Sequence, residues 1–308
     1  MKDQVSVTAV QMDVRWQDVE VNRTRMVTAA EEAAAHGSHL VLFPELANTG
    51  YFRFGDLDFI SRYVRLAEPI PGPTTEALGA VARRFGMYAL VGLLEAHPRI
   101  PGAVYNSAAL MAPTGRVLGI HRKVHLGIDE KKVFFAGDRA DVYRTELGNL
   151  AMMVCYDGVM PELSRVMALK GAEIICGVFA APGWIPGGNR RLEHIAGMRA
   201  RENGAYYVLC NRVGRQENWQ FIGGTTIAAP TGDIVAQDAT VNEALVQATL
   251  SGDLLIRTRV EQTIFRDRRP ELYGLLCEPL AAARQEDGEG PAVAADPSLI
   301  VENLSGRR

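Results

Sequence analysis

The sequence predicts an α/β layered fold with mixed sheets. Short runs rich in Val, Ile and Leu alternate with segments of helical spacing up to about residue 275. This alternation favours helices packed on sheets. Two Pro-Thr-Gly sequences, Pro113–Gly115 and Pro230–Gly232, each lie between apolar runs and indicate hairpins. Because hairpins join antiparallel strands, a mixed sheet or two packed sheets fits better than a purely parallel one.

The individual elements are predicted from the spacing of apolar residues. Apolar runs bounded by turn residues predict strands at Val5–Met12, His39–Phe43, Met87–Leu93, Ser107–Ala112, Leu150–Cys155, Glu173–Val178 and Tyr206–Leu209. The second hairpin adds Thr225–Ala229 and Ile234–Ala236. Apolar residues recurring every three or four positions predict helices at Asn22–Ala35, Thr74–Phe85, Pro161–Leu169 and Arg190–Asn203.

Composition narrows the class of protein. With 308 residues, of which 47% are hydrophobic and 22% charged, the chain can bury a large core. A formal charge of −3 and scattered basic residues give no reason to expect a nucleic acid or an anionic membrane surface as a partner. No apolar run approaches the ~20 residues of a membrane span, and the amino-terminal segment lacks the apolar stretch of a signal peptide.

The four cysteines are too widely separated for a disulfide framework or a paired zinc site. We therefore expect reduced thiols in a cytoplasmic protein. One domain is predicted over residues 1–279. The segment 280–308 is small, polar and charged, so we expect a tail that is mobile or packs on a neighbouring subunit.

Cys155 is the best candidate nucleophile in the sequence. It ends an apolar strand and precedes a turn-plus-helix pattern in the run AMMVCYDGVMPE. Backbone N–H groups and the helix dipole at such a position favour a thiolate. A buried, inert cysteine is the competing interpretation, since most free cysteines are of that kind.

Two other charged residues also follow predicted strands. Glu45 comes after Pro44, where the chain must leave the sheet, and open α/β sheets place ligands at such strand ends. Lys123 lies between His121 and His125 at strand spacing, so in an extended segment the three side chains share one face. A loop carboxylate and a solvated strand edge are the alternative interpretations.

Together Cys155, Glu45 and Lys123 suggest acyl transfer by a thiol. The carboxylate would remove the thiol proton, and the ammonium would stabilise the charge that develops on oxygen. A competing hypothesis within the same chemistry makes His121 or His125 the general base, as in Cys–His hydrolases. Residue spacing does not choose between the two.

These segments resemble the nitrilase, or carbon–nitrogen hydrolase, superfamily over residues 4–275. The resemblance rests on FPELANTGY around Glu45, HRKVHL around Lys123 and VCYDGVMPELSRVMALKGAEII around Cys155. Further similar segments are RARENGAYYVLCNRVG, FIGGTTIAAPTG and RDRRPELY. Separate motifs in the right order are much more specific than any one of them.

The resemblance implies a single-domain αββα sandwich and a catalytic set of Glu45 as general base, Lys123 as oxyanion-stabilising cation and Cys155 as nucleophile. It also implies that Glu130 orients Lys123 and the substrate nitrogen. The backbone N–H of Tyr156 becomes the second oxyanion donor. No metal or organic cofactor is expected, and the histidines are disfavoured as bases.

For the substrate, the resemblance favours a carboxamide over a nitrile. The pair Tyr156-Asp157 is similar to the amidase and carbamoylase branches, whereas nitrilases usually carry Trp-Glu there. Carbamoylases that hold a carboxylate place arginines at the positions of Gly158 and Val159, so a carboxylate here would lose a charged hydrogen bond worth ~1.5–3 kcal/mol unless Arg190 or Arg191 replaced it.

The motifs and the resemblance thus predict a cysteine-dependent amidase acting on a small carboxamide with a neutral acyl part. Phe52, Trp184 and Trp219 are candidate pocket residues. An N-carbamoyl amidohydrolase or a nitrilase is the alternative enzyme, and a thiol sensor or an inactive binding module is the alternative outside enzymes. Family resemblance also suggests a homodimer or larger homo-oligomer.

Overall fold

The computed structural model describes residues 1–51, 57–183 and 187–279. The strands are β1 Gln4–Gln11, β2 Leu40–Phe43, β3 Tyr88–Ala96, β4 Val104–Met111, β5 Val117–Arg122, β6 Val142–Thr145, β7 Gly148–Val154, β8 Ile174–Phe179, β9 Tyr206–Asn211, β10 Val213–Gln216, β11 Trp219–Ile222, β12 Thr225–Ala228, β13 Ile234–Asp238 and β14 Ala244–Ser251. The helices are α1 Val19–Ala35, α2 Leu57–Val64, α3 Pro73–Phe85, α4 Pro161–Leu169, α5 Gly188–Asn203 and α6 Gly252–Glu261.

Local sequence signals set several helix ends. Asp18 caps α1 by accepting from the Val21 N–H at 3.2 Å, and Ser251 caps α6 by accepting from the Leu254 N–H at the same distance. The α3 helix starts with Pro73, which has no N–H to leave unpaired. It ends at Gly86, whose left-handed φ of 66° suits a glycine.

The strands form two large mixed sheets. The first has the order β14-β1-β2-β3-β4-β5, and the second has the order β13-β12-β9-β8-β7-β6. In the first sheet β1, β2 and β3 are parallel, and in the second β7, β8 and β9 are parallel. The outer strands pair antiparallel, including the two predicted Pro-Thr-Gly hairpins β4–β5 and β12–β13.

The two sheets pack face to face with helices outside. Successive side chains of β2 and β7 point to opposite faces of their sheets. Leu42 and Met152 lie in the core that both sheets share. Their neighbours Val41 and Met153 lie in the separate clusters that contain the buried faces of α1 and α3 on one side and of α4 and α5 on the other. The predicted αββα sandwich with mixed sheets is confirmed.

The segment around Lys123 is extended only as far as Arg122. The β5 strand ends at Arg122, so Lys123 and His125 lie beyond it. Lys123 still donates its N–H to the Asn106 carbonyl at 2.8 Å. The next two N–H groups, of Val124 and His125, bond instead to the carboxylate of Asp157, so the ladder cannot continue. The three side chains of His121, Lys123 and His125 would share one face only in an extended segment, and this condition is not met beyond Arg122.

The chain divides into two compact units, Met1–Phe265 and Arg266–Arg308. The first contains both sheets and all the helices named above. In the second, residues 266–279 carry two short 3-10 turns, Pro270–Leu272 and Gly274–Cys277. The predicted tail 280–308 lies outside the described residues. Within the described ranges, no helix has the length and apolar character needed to cross a bilayer.

Candidate active site

Three predicted charged residues converge although they are far apart in sequence. Glu45 follows β2, Lys123 follows β5, and Glu130 begins a 3-10 turn in the loop after Lys123. Lys123 Nζ donates to Glu45 Oε1 at 2.8 Å and to Glu130 Oε1 at 2.6 Å. All three side chains are almost completely buried. The ammonium thus bridges two carboxylates inside the protein.

Charge pairing keeps Lys123 protonated. Burial acts to lower its pKa, but the negative charges of Glu45 and Glu130 outweigh burial, and the net effect is a pKa well above the ordinary value. An ammonium has three N–H donors, and these two carboxylates use two of them. One donor of Lys123 thus remains for a substrate oxygen.

Glu45 has two oxygens in different surroundings. Oε1 accepts from Lys123 and, at 2.7 Å, from Asn106 Nδ2. Oε2 is buried and has no hydrogen-bond partner among the described residues. Burial, helped by the charge of Glu130, raises the pKa of Glu45 above its usual range although Lys123 opposes this. A carboxylate with a raised pKa and an unoccupied oxygen is suited to accept a proton.

Two residues that the sequence analysis missed hold this cluster. Asn106, within β4, donates from Nδ2 to Glu45 Oε1 and at 3.3 Å to Glu130 Oε1. Tyr51 donates its hydroxyl to the same Glu130 oxygen at 3.0 Å. Glu130 Oε2 accepts from the Gly127 N–H at 2.6 Å. Tyr51 ends the motif FPELANTGY, whereas Asn106 precedes the predicted strand Ser107–Ala112 by one residue, and only pairing across the sheet brings it beside Glu45.

Cys155 immediately follows β7 and opens a 3-10 turn, Cys155–Val159, before α4 begins at Pro161. Its φ of 44° lies in the left-handed region, which is uncommon for a residue with a side chain and is found at strained functional turns. Gly would adopt this conformation without strain.

The environment of the thiol differs from the one expected. Burial, and then the negative charge of Glu45, raises the pKa of Cys155 well above its ordinary value, while Lys123 and the Ala180 backbone N–H act in the opposite direction. The expectation that helix position alone favours a thiolate is therefore wrong. Because the resting thiol is protonated, the site needs a base, and Glu45 is close enough to act on it electrostatically.

The two histidines bond elsewhere. His121 Nε2 lies 2.9 Å from Asp157 Oδ2, and His125 Nδ1 lies 3.0 Å from Asp157 Oδ1. Both rings are thus engaged by a buried aspartate. The hypothesis that His121 or His125 is the general base for Cys155 has no support in this geometry.

The structure describes some of the remaining predicted site residues and not others. The Tyr156 N–H lies in the first turn of the 3-10 segment Cys155–Val159, where N–H groups have no partner within the turn. Trp219, on β11, lies beside Tyr51 with ring centroids 5.7 Å apart. Phe52 and Trp184 lie outside the described residues. Arg190 and Arg191 are on α5 and line a surface cleft of about 390 Å³.

No side chain fits at Gly158 without a shift. A Cβ added there would lie 2.8 Å from Phe179 Cζ and 2.8 Å from the Tyr207 hydroxyl. From the other side, Arg199 on α5 donates to the carbonyls of Gly158 at 3.0 Å and Val159 at 2.8 Å. The turn after the nucleophile is therefore packed against protein at this position.

Comparison with known proteins identifies the family. A model of the carbon-nitrogen hydrolase family matches residues 6–260. A relative named nitrilase, from Pyrococcus abyssi, is 33% identical over 87% of this chain and 99% of its own length. N-carbamoylputrescine amidase from Arabidopsis thaliana is 30% identical over 84% and 91% of the two chains. The crystal structure of an amidase from Nesterenkonia sp. superimposes with a TM-score of 0.73 at 26% identity and covers 89% of this chain and 97% of that one.

The chain belongs to the carbon-nitrogen hydrolase family, within the nitrilase superfamily. It is a hydrolase that acts on carbon–nitrogen bonds other than peptide bonds. The predicted family and reaction class are both confirmed.

Proposed function

We propose that this protein is a cysteine-dependent amidase that hydrolyses a small carboxamide to a carboxylate and ammonia through a thioester. The observation that carries the proposal is that the two oxygens of the Glu45 carboxylate have different surroundings. Oε1 is fixed by Lys123 and Asn106, while the buried Oε2 has no partner among the described residues. A protonated thiol and a fixed base of raised pKa share one site.

In the first half of the reaction, Glu45 takes the proton of the Cys155 thiol as Sγ attacks the amide carbon. The carbonyl oxygen becomes an oxyanion, which the third N–H of Lys123 and the backbone N–H of Tyr156 stabilise. Glu45 then returns the proton to the amide nitrogen. The carbon–nitrogen bond breaks, ammonia leaves, and the acyl group remains on sulfur as a thioester.

The second half repeats the same proton transfers with water. Glu45 removes a proton from a water molecule as its oxygen attacks the thioester carbon, and the same donors stabilise the second oxyanion. The carbon–sulfur bond breaks, and Glu45 returns the proton to Sγ. Glu130 keeps Lys123 in place throughout and offers an acceptor to the substrate nitrogen.

Three features support a neutral acyl group with apolar or aromatic character. The cluster already contains two carboxylates for one lysine, which disfavours a further negative charge nearby. Gly158 is closed by Phe179 and Tyr207, so an arginine for a substrate carboxylate has no space there. Tyr51 and Trp219 place aromatic surface beside Glu130.

The relatives support amide chemistry, and their names leave nitriles and carbamoyl compounds as competing substrates. A mutant of the Nesterenkonia amidase carries acrylamide added to its active-site cysteine. Because a relative at 30% identity is named N-carbamoylputrescine amidase, a carbamoyl compound without a carboxylate is the second candidate. In that reaction the same residues would attack the carbamoyl carbon.

Ammonia release tests the proposal. The panel contains propionamide, hexanamide, benzamide, N-carbamoylputrescine, succinamate and benzonitrile. We expect the neutral amides to be fastest and Cys155→Ala to abolish turnover, while Cys277→Ser, at an exposed cysteine, leaves it unchanged. A thioester trapped on Cys155 should appear by mass spectrometry. Faster turnover of succinamate or benzonitrile than of every neutral amide would contradict the substrate assignment, and undiminished turnover in Cys155→Ala would contradict the mechanism.

A further inference from the structure

We infer that Asp157 is a positioning residue that fastens the segment carrying Lys123 to the turn carrying Cys155. The inference deepens the proposed function, because it concerns how the cation and the nucleophile of that site are kept together. It also changes the meaning of Asp157, which the sequence analysis treated as a marker of substrate type. The structure places the Asp157 carboxylate entirely within the protein, 0% exposed.

One oxygen of Asp157 holds the lysine segment. Oδ1 accepts from the backbone N–H of Val124 at 3.2 Å and of His125 at 2.8 Å. The His125 ring donates to the same oxygen from Nδ1 at 3.0 Å. These bonds begin at the residue directly after Lys123, where the β5 ladder has ended. They satisfy backbone N–H groups that the β5 ladder, which ends at Arg122, no longer pairs.

The other oxygen closes the turn around the nucleophile. Oδ2 accepts from the Val154 N–H at 3.1 Å, so the side chain of Asp157 reaches back across Cys155 to the last residue of β7. His121, the residue before Arg122 on β5, donates to the same oxygen at 2.9 Å. Val154 and Asp157 thereby bracket the residue whose φ is 44°. A left-handed residue persists only where its surroundings fix it.

The carboxylate remains charged in this environment. Burial acts to raise its pKa, but hydrogen bonds from His121 and His125 outweigh burial and hold the pKa of Asp157 well below its usual range. With five donors on two oxygens, the carboxylate has no capacity for a substrate group. Its effect on the reaction must therefore pass through Lys123 and Cys155.

The substitution Asp157→Asn tests this role because it keeps the shape and removes one acceptor. The new amide offers a donor where Val154 or His121 now requires an acceptor. The probe is iodoacetamide, and the readout is the rate of alkylation of the peptide that contains Cys155, measured by mass spectrometry because Cys277 is also exposed. We expect at least a tenfold fall in that rate, and an equal fall in kcat on propionamide with KM within threefold.

The pH profile of alkylation separates positioning from stability. The groups that act on the Cys155 thiol are Glu45, Lys123, Glu130, Tyr51 and Tyr207. Lys123 and the Ala180 backbone N–H lower the thiol pKa, and only Lys123 belongs to the segment that Asp157 holds, so loosening that segment should move the profile of Asp157→Asn to higher pH. Loss of folded protein alone would expose Cys155 at the ordinary thiol pKa, which lies below that of the buried thiol, so it would speed alkylation and move the profile to lower pH.

Glu68→Gln is the matched control. Glu68 is another buried carboxylate that accepts a backbone N–H, from Thr74 at 2.7 Å, together with the Thr74 hydroxyl at 2.8 Å. It caps α3 and, among the residues that the structure describes, has no hydrogen bond to the segments of Cys155 or Lys123. We expect it to lower the thermal midpoint while the alkylation rate of Cys155 and its pH profile stay within twofold of the unsubstituted protein.

His125→Ala provides a second variant if Asp157→Asn does not fold. The ring is partly exposed, and its loss leaves both backbone bonds to Asp157. We expect alkylation to slow at least threefold in this variant. Alkylation within twofold of the unsubstituted protein in a folded Asp157 or His125 variant would overturn the inference, as would a change confined to KM. An unreactive Cys155 in the unsubstituted protein would overturn it as well.

The same readout distinguishes this inference from the proposed function. If no amide in the panel is hydrolysed but Asp157→Asn still slows alkylation and shifts its pH profile, the amidase assignment fails and the positioning role stands. If propionamide is hydrolysed and Asp157→Asn alters neither the alkylation rate nor its pH profile, the proposed amidase function stands and the positioning role of Asp157 fails.

Discussion

The ammonium of Lys123 lies 2.6 Å from Glu130 Oε1, inside a cluster that also contains Glu45. A single buried cation therefore serves two buried carboxylates. Each partner is stabilised only while the others remain, because an unpaired buried charge is far more costly than a pair. This dependence makes the site sensitive to the removal of any one charge.

Removing the cation should destabilise the protein strongly. Lys123→Met leaves Glu45 and Glu130 buried without their cation, and we expect a loss of about 3–5 kcal/mol in the free energy of unfolding at pH 7. Burial already raises the pKa of Glu45 and Lys123 opposes this, so without Lys123 the folded pKa of Glu45 would lie further above its unfolded value. Folding would take up protons, so the variant should regain stability as the pH falls towards about 4–5.

Urea unfolding between pH 7 and pH 5 measures this effect. The double variant Lys123→Met/Glu130→Gln should be more stable than the single variant, since one unpaired charge is gone. Lys132→Met is the control: this half-exposed lysine pairs with Asp129 at 3.3 Å, and we expect a change of about 0.5 kcal/mol or less. A Lys123→Met protein as stable as the control at pH 7 would contradict the prediction.

The fall in kcat/KM at low pH should reflect protonation of Glu45. Burial raises its pKa, so kcat/KM should fall as the pH drops through a midpoint above the ordinary carboxyl value. The charge of Glu130 contributes to that raised pKa. Glu130→Gln should therefore shift the acid limb to lower pH while it reduces kcat, because the glutamine holds Lys123 less firmly.

The profile of kcat/KM on propionamide from pH 4 to pH 8 gives the measurement. Glu243→Gln is a suitable control, because Glu243 is an exposed carboxylate paired with Arg25 and should leave both the midpoint and kcat unchanged. A midpoint that moves to higher pH in Glu130→Gln would contradict the assignment of Glu45 as the base.

Gly158 should tolerate a side chain only if its neighbours give way. We expect Gly158→Ala to lose about 1–3 kcal/mol of stability and part of kcat, since its Cβ would lie 2.8 Å from Phe179 and Tyr207. The Tyr207 hydroxyl is buried without a partner among the described residues, so Tyr207→Phe alone should be neutral or slightly stabilising.

A double-variant cycle tests that contact. Gly158→Ala/Tyr207→Phe should recover part of the lost stability, with Phe179 responsible for the remainder. Gly274→Ala is the control, because no atom lies within 4 Å of a Cβ added there. Additive effects of the two substitutions would show that Tyr207 does not limit the space at Gly158.

Trp219 should discriminate between acyl groups. Its ring lies 5.7 Å from that of Tyr51, which bonds to Glu130, so it borders the space beside the catalytic cluster. We expect Trp219→Leu to raise KM for benzamide and hexanamide about tenfold, with little change for acetamide, which is too short to reach the ring. Equal changes in KM for the three amides would show that Trp219 does not contact the acyl group of the substrate.

Local patterns of sequence located most of the framework. The strand that ends before Glu45, the strand that ends before Cys155 and the Pro-Thr-Gly hairpins are found with ends shifted by a few residues. Strands with weaker patterns, including β6, β10 and β14, were not predicted. Their residues are partly exposed and carry polar side chains, so only pairing with stronger neighbours defines them.

The sequence by itself determined the layered class of fold, and its motifs identified the superfamily and the residues Glu45, Lys123 and Cys155. Only the tertiary structure decided which groups these residues meet. It brought Asn106 and Tyr51 to the carboxylates, gave both histidines to Asp157 and raised the pKa of the Cys155 thiol. Strand ends and turns follow from neighbouring residues, whereas burial and charge pairing depend on segments far apart in the chain, which meet only when the sheets pack.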